Sequence, residues 1–162
     1  MMSAEIVDVN LDNPEHAQAL LRLLDDYAAD PMGGAERLSP STLGGLIAGL
    51  RSEPGYFGFL AYLNERAVGL ANCFRGFSTF HAAPLLNVHD LVVERELRGQ
   101  GIGSQLLLRI AQKARALGCC KLTLEVLSGN LVAQATYRRA GFAPYGLGSG
   151  SSGAAQLWQK PL

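Results

Sequence analysis

Apolar and polar positions follow two rhythms along the chain, and the switches between them mark its elements. Residues 5–9 (Glu5-Ile6-Val7-Asp8-Val9) read as a strand. From Asn13 the spacing becomes helical: Leu20, Leu21, Leu23, Leu24 and Tyr27 make a buried side, with Asn13 as cap and Pro14 in the first turn. That helix is expected to stop before Pro31, and residues 31–34 to form a loop. A second helix is expected from Ser39-Pro40 to about Leu50; Gly44, Gly45 and Gly49 weaken it and make it a candidate mobile element. Runs at 56–63 and 67–77, joined at Asn64-Glu65-Arg66, predict an antiparallel hairpin. After 78–84 comes a run at 86–93 with the look of a buried strand. Simple alternation puts Asn87, His89, Leu91 and Val93 on one of its faces and Val88, Asp90 and Val92 on the other, an assignment that a bulge would change.

An amphipathic helix follows, with Leu106, Leu107, Ile110, Ala114 and Leu117 on one side and Arg109, Gln112, Lys113 and Arg115 on the other. A strand at 121–126 and a helix after Asn130 come next, the helix ended by Gly141. A further strand is expected from 142 to 145 and a short closing strand from 156 to 160. The Gly/Ser stretch between them, 146–153, suits an ordered or a disordered connection equally.

Composition narrows the class. A chain of 162 residues, 48% hydrophobic, supports one sizeable core, so a single domain over 1–162 is expected. Fourteen basic residues balance fourteen acidic ones, which argues against a nucleic-acid or membrane surface. No apolar run approaches the ~20 residues of a membrane span, and the first residues lack the layout of a signal peptide. Cys73, Cys119 and Cys120 include no Cys-x-x-Cys, so neither a metal site nor a disulfide framework is expected, and a cytoplasmic setting is.

The chemistry centres on Arg98-Gly99-Gln100-Gly101-Ile102-Gly103, where a strand turns into a helix. A helix start offers unpaired N–H groups and the positive end of the dipole, which suit a phosphate, and glycine lets the backbone come close. There is no Gly-Lys pair, so the nucleotide-hydrolase loop is excluded. A dinucleotide turn needs G-x-G-x-x-G, but Ser104 and Leu106 stand where its third glycine should fall; Glu125 imitates that motif's ribose-binding acid. The spacing that fits is Arg98-x-x-Gly101-x-Gly103.

On that motif the sequence resembles the GNAT superfamily of acyl-CoA-dependent N-acetyltransferases. The match continues through Lys121-Leu122-Thr123-Leu124-Glu125-Val126, then Asn130, then Tyr137 and Gly141-Phe142. The resemblance implies an α/β fold, a mixed sheet with helices on both faces, in the order β-α-α-β-β-β-α-β-α-β-β. It implies acetyl-CoA as co-substrate, its pyrophosphate on the amides of Arg98, Gly99, Gln100, Gly101, Ile102, Gly103 and Ser104. The pantetheine arm would lie along Leu91, Val92 and Val93, in a cleft where the fourth and fifth strands part. Asn130, Ala133 and Tyr137, spaced three and then four, share a helix face and belong to the same implied site.

Amine attack on a thioester needs a neutral amine and a proton for the departing sulfur. The family places a tyrosine beside the sulfur, here Tyr137, whose structural alternative is a half-buried core aromatic. Residues 76–80 and 88–93 look most like the diamine and thialysine acetyltransferase branch, which commonly carries Glu-Asp where this chain has His89-Asp90. His89 is therefore the first candidate base, an imidazole in place of the branch's glutamate. Glu125 is the rival. Tyr27, Asp30 and Asp90 are candidate acceptor contacts, their acids suited to a cationic amine or simply to a solvated helix end. The expected acceptor is a small primary amine, polyamine-like or amino-acid-like; a peptide N-terminus or an antibiotic amine are alternatives. The branch also implies a homodimer. A non-catalytic acyl-CoA-binding module and a dinucleotide enzyme are the other classes weighed.

Overall fold

The computed structural model describes residues 1–146 and 155–161. Of the expected Gly/Ser connection at 146–153, residues 147–153 lie outside the described residues. The chain divides into two compact units, Met1–Leu124 and Glu125–Leu162. The first holds β1 (Glu5–Asp8), α1 (Pro14–Ala29), α2 (Pro40–Arg51), β2 (Tyr56–Leu63), β3 (Arg66–Ser78), β4 (Ala83–Val93), a 3-10 turn at Arg95–Leu97, α3 (Ile102–Ala116) and β5 (Leu122–Leu124). The second holds α4 (Leu131–Arg139).

Local chemistry sets the element ends. The Asn13 side chain accepts the Glu15 N–H at the start of α1, and Ser39 accepts the Thr42 N–H at the start of α2, each with proline in the first turn. Asn64 and Glu65 take φ of 47° and 65°, the two left-handed residues that a two-residue hairpin between β2 and β3 requires.

The five strands lie in sequence order, antiparallel except for the parallel pair β4–β5. Neighbouring residues on a strand point to opposite faces, and Gly69 and Leu70 show which helices cover each. Leu70 packs with Leu20, Leu23, Leu50, Leu60 and Val92, so α1 and α2 cover that face. A Cβ at Gly69 would touch Leu106, so α3 covers the other. Its buried residues there are Ile102, Leu106, Leu107, Ile110 and Ala114, the face read from the sequence except that Ile102 joins it and Leu117, at the C-cap, is only half-buried. Each large apolar side chain so buried contributes about 1.5–3 kcal/mol against the entropy of ordering the chain. Asp8 accepts from Arg109 at 2.6 Å and from Lys113 at 3.0 Å, tying α3 to β1.

Two expectations about the sheet are corrected. Residues 142–145 and 156–160 form no strands among the described residues. They are short and exposed, Leu157 and Trp158 at 79% and 85%, and a strand without a paired neighbour gains too little to hold its backbone in place. The second correction concerns β4. Asn72 pairs with Asp90 and Cys73 with Val88, so His89 is an extra residue opposite the β3 ladder. The bulge breaks the alternation at His89. Leu86, Val88, Leu91 and Val93 lie opposite Arg75, Cys73, Ala71 and Gly69, while Asn87, Asp90 and Val92 lie opposite Phe74, Asn72 and Leu70. Asp90 therefore belongs to the face that α1 covers.

Candidate active site

Pairing between β4 and β5 covers Leu86–Val88 and Leu122–Leu124 and then stops. β4 runs on to Val93 with β3 as its partner. Past Val88, no described strand pairs on the β5 side, so Leu91, Val92 and Val93 keep one backbone edge for another group.

The chain leaves β4 through the 3-10 turn into Arg98–Gly103. Gly99 and Gly101 have φ of 79° and 87°, a region that L side chains enter only at a cost. Gly101 is the N-cap residue of α3, where no side chain caps the first turn and no acid stands in it. The Ile102, Gly103 and Ser104 amides are thus suited to an anion. Arg98 fixes the turn from both ends: its Nε donates to the Val93 carbonyl at 3.1 Å, and its guanidinium pairs with Asp30 at 3.0 Å. Glu94, its carboxylate held by Arg22 at 2.7 Å and Arg66 at 2.9 Å, anchors the other side. The N-terminal segment is bound here too, with Gln105 donating to the Met2 carbonyl and accepting the Ala4 N–H.

His89 is exposed on the bulge, its ring set edge-on against Phe74 with centroids 5.5 Å apart. Asp90 accepts from Asn72 Nδ2 at 3.0 Å, and Asn72 accepts from Tyr56 Oη at 2.9 Å. Tyr27 is half-buried at the end of α1. Burial, then Asp90 and Asp30, raise its phenol above the ordinary value, so its hydroxyl stays a donor at neutral pH. Asp30 accepts the Met32 N–H; that bond, opposed by burial and aided by Arg98, holds its carboxyl below the usual range. Asp25 and Asp26, part of the same acidic cluster, are taken by Arg37. Cys73 is fully buried, its thiol pushed up to about 12 by burial and by Asp90, and is therefore a neutral core residue.

The first unit thus brings together Tyr27, Asp30, His89, Asp90, Leu91–Val93 and the turn through Ser104. The other candidates belong to the second unit. Glu125 is exposed and opens it, directly after β5. Asn130 caps α4 by accepting the Ala133 N–H at 3.1 Å, so Ala133 and Tyr137 follow on one helical face. The Tyr137 ring packs against Phe142, centroids 6.0 Å apart.

Sequence reading missed Asn72, Tyr56 and the Arg98–Asp30 pair. Asn72 carried a signal: an amide inside the apolar run Leu70-Ala71-Asn72-Cys73-Phe74 must find partners. Arg98–Asp30 joins residues far apart in sequence and carried none. Among the described residues no cluster of three His, Cys, Asp or Glu could hold a metal ion, and no helix is long and apolar enough to cross a membrane.

Comparison with known proteins agrees with this geometry. The model of the Acetyltransferase (GNAT) family matches residues 17–142. A thialysine N-epsilon-acetyltransferase of Caenorhabditis elegans is 27% identical over 140 residues, 85% of this chain and 81% of that protein. The enzyme of the same name from Bos taurus is 35% identical over 96 residues, 59% of this chain. The chain spans about half the length of that bovine relative, 53%. Among solved structures, an aminoglycoside acetyltransferase from an uncultured soil metagenomic sample, in complex with trehalose, superposes with a TM-score of 0.76. It is 18% identical, with 98% of this chain and 96% of that one covered, a likeness of fold.

Proposed function

The chain belongs to the GNAT family of acetyltransferases, and from that membership we propose that it moves an acetyl group from acetyl-CoA to a small primary amine, by direct attack with both substrates bound. The observation that carries this reading is the turn between β4 and α3. Its positive-φ glycines and uncapped, acid-free helix start fit a pyrophosphate. The unpaired end of β4 fits the pantetheine amides, which pair with Leu91, Val92 and Val93 as an added strand would. Asn130, Ala133 and Tyr137 complete the donor site in this reading; the Asn130 cap, which sets them on one face of α4, supports it.

Coenzyme A supplies an activated thioester, and the chain's own groups hold protons and charge around it. Tyr137 donates its phenolic proton to the departing sulfur. His89 accepts the amine's proton, a role supported by its place on the bulge next to Asp90, with Glu125 as the alternative. A covalent acyl-cysteine has little support from Cys73, since a protonated, buried thiol is a poor nucleophile. The acceptor amine lies near Tyr27 and Asp90, whose closeness in the first unit supports that place; the names of the thialysine acetyltransferases support an amine acceptor. A homodimer in the cytoplasm completes the proposal; the exposed apolar residues Leu157 and Trp158 support the self-association alone. Light scattering is expected to give twice the chain mass of 17.3 kDa.

The test is release of coenzyme A thiol from acetyl-CoA across a panel of amines, with thermal shifts by acetyl-CoA and by NAD measured alongside. Amine-dependent thiol release, and stabilisation by acetyl-CoA of about 2.7 kcal/mol at a hundredfold excess over Kd, are expected. Stabilisation by NAD instead, or acetyl-CoA binding with no thiol released by any amine, would overturn the reading.

A further inference from the structure

Asp30 ends α1, and each of its polar groups has a partner. Its N–H donates to the Tyr27 carbonyl at 3.0 Å, and its own carbonyl accepts the Gly33 and Ala35 N–H groups at 2.8 and 3.0 Å. The loop folds so tightly there that a Cβ on Gly33 would collide with the Tyr27 carbonyl. On the side chain, Oδ1 accepts the Met32 N–H at 3.0 Å and Oδ2 pairs with Arg98 Nη2 at 3.0 Å. That side chain is only 12% exposed, so a cationic acceptor would have to displace one of these partners to reach it.

Arg98 is the opposite case. Its Nε donates to the Val93 carbonyl at 3.1 Å, so the guanidinium stands where the free edge of β4 gives way to the glycine turn. A guanidinium carries five N–H groups in a rigid fork. Val93 and Asp30 take two of them, and the side chain is 41% exposed. The arginine is thus fixed at two points and still open to a further anion.

We propose that Asp30 is a positioning residue for the acyl donor: it holds the Arg98 guanidinium beside the turn, where the remaining N–H groups meet the donor's pyrophosphate. This rests on the reading of that turn as the acyl-donor site, and it takes Asp30 out of the acceptor contacts expected from the sequence. An arginine already fixed at two points loses little freedom when a phosphate arrives, whereas a loose one must be ordered by the ligand. Its planar fork suits two phosphate oxygens at once. Asp30 itself touches neither substrate.

The experiment measures acetyl-CoA affinity by titration calorimetry in the parent, Asp30→Asn and Asp30→Glu. Alongside it, kcat/KM is measured for acetyl-CoA and for S-acetylpantetheine, which ends before the pyrophosphate, with 1,4-diaminobutane as acceptor. Asn keeps an oxygen for Met32 but loses the charge that holds Arg98. Asp30→Asn is expected to weaken acetyl-CoA binding about fivefold to tenfold, the size of the ordering cost of one long side chain. The preference for acetyl-CoA over S-acetylpantetheine should fall by the same factor, and Asp30→Glu should recover most of both. A merely structural role would slow the two donors equally, and an acceptor contact would raise the amine KM with either donor; each of these results overturns the inference. So does an unchanged acetyl-CoA affinity in a folded Asp30→Asn. Asp30→Ser, which also keeps an oxygen for Met32, carries the test if Asp30→Asn fails to fold. A parent that binds acetyl-CoA but releases no thiol with any amine overturns the proposed function, and the calorimetric comparison still decides the role of Asp30.

Discussion

Asp30 joins two parts of the first unit through one residue: its carboxylate pairs with Arg98 of the glycine turn, and its backbone caps the end of α1. Its carboxyl, like that of Asp25, is held below the usual range, chiefly by backbone N–H donors: Met32 for Asp30 and Leu38 for Asp25. A depressed carboxyl stabilises the fold above its unfolded value and loses that contribution as pH falls through the folded one. Melting temperature should therefore drop steeply below about pH 4, and Asp30→Asn should flatten that drop while lowering stability at neutral pH. Scanning calorimetry from pH 3 to 7 checks both. At the same scale, Tyr137→Phe keeps the ring on Phe142 and removes only the hydroxyl. Acetyl-CoA binding should change little while turnover falls by roughly 10²–10⁴-fold, as for a lost general acid. Full turnover in that variant would remove Tyr137 from the proton path. His89→Ala should lower turnover with little change in acetyl-CoA binding, and Glu125→Gln should leave turnover near the parent's; the reverse result moves the base to Glu125.

The elements were legible wherever one face is buried and local chemistry marks the ends. Both helix starts at Pro14 and Pro40, the hairpin at Asn64-Glu65 and the apolar side of α3 follow from spacing, caps and turn residues. The bulge at His89 was not legible, because an extra residue shows only against its partner strand. It changes the site: with unbroken alternation Asp90 would share a face with Val88, whereas the bulge sets it beside Asn72 on the face α1 covers. The packing of α3 is the part of this scaffold most open to a direct test. Ile110 is fully buried, and Ile110→Ala should cost about 2–5 kcal/mol, lost transfer energy plus a cavity. Urea denaturation would read that as a lower midpoint at an unchanged slope.

For the molecule as a whole, the motif carried further than the pattern did. The Arg98-x-x-Gly101-x-Gly103 spacing at a strand-to-helix turn pointed to the family once Asn130, Tyr137 and Gly141-Phe142 continued the match, and the fold agrees. Expectations for the last stretch were weaker because they rested on apolar residues alone, without the partner strand that would make them a sheet. The central claim is that the turn at Gly101 receives the acyl donor, and a calorimetric titration of acetyl-CoA into the parent and into Gly101→Val tests it most directly. Valine pays the left-handed strain at φ 87°, and its Cβ would lie 2.6 Å from the Met1 methyl, so the turn must shift from the shape that suits a pyrophosphate. Saturable binding by the parent, weakened at least about tenfold (roughly 1.4 kcal/mol) in a folded Gly101→Val, is the result expected; equal affinity in the two proteins would contradict the claim.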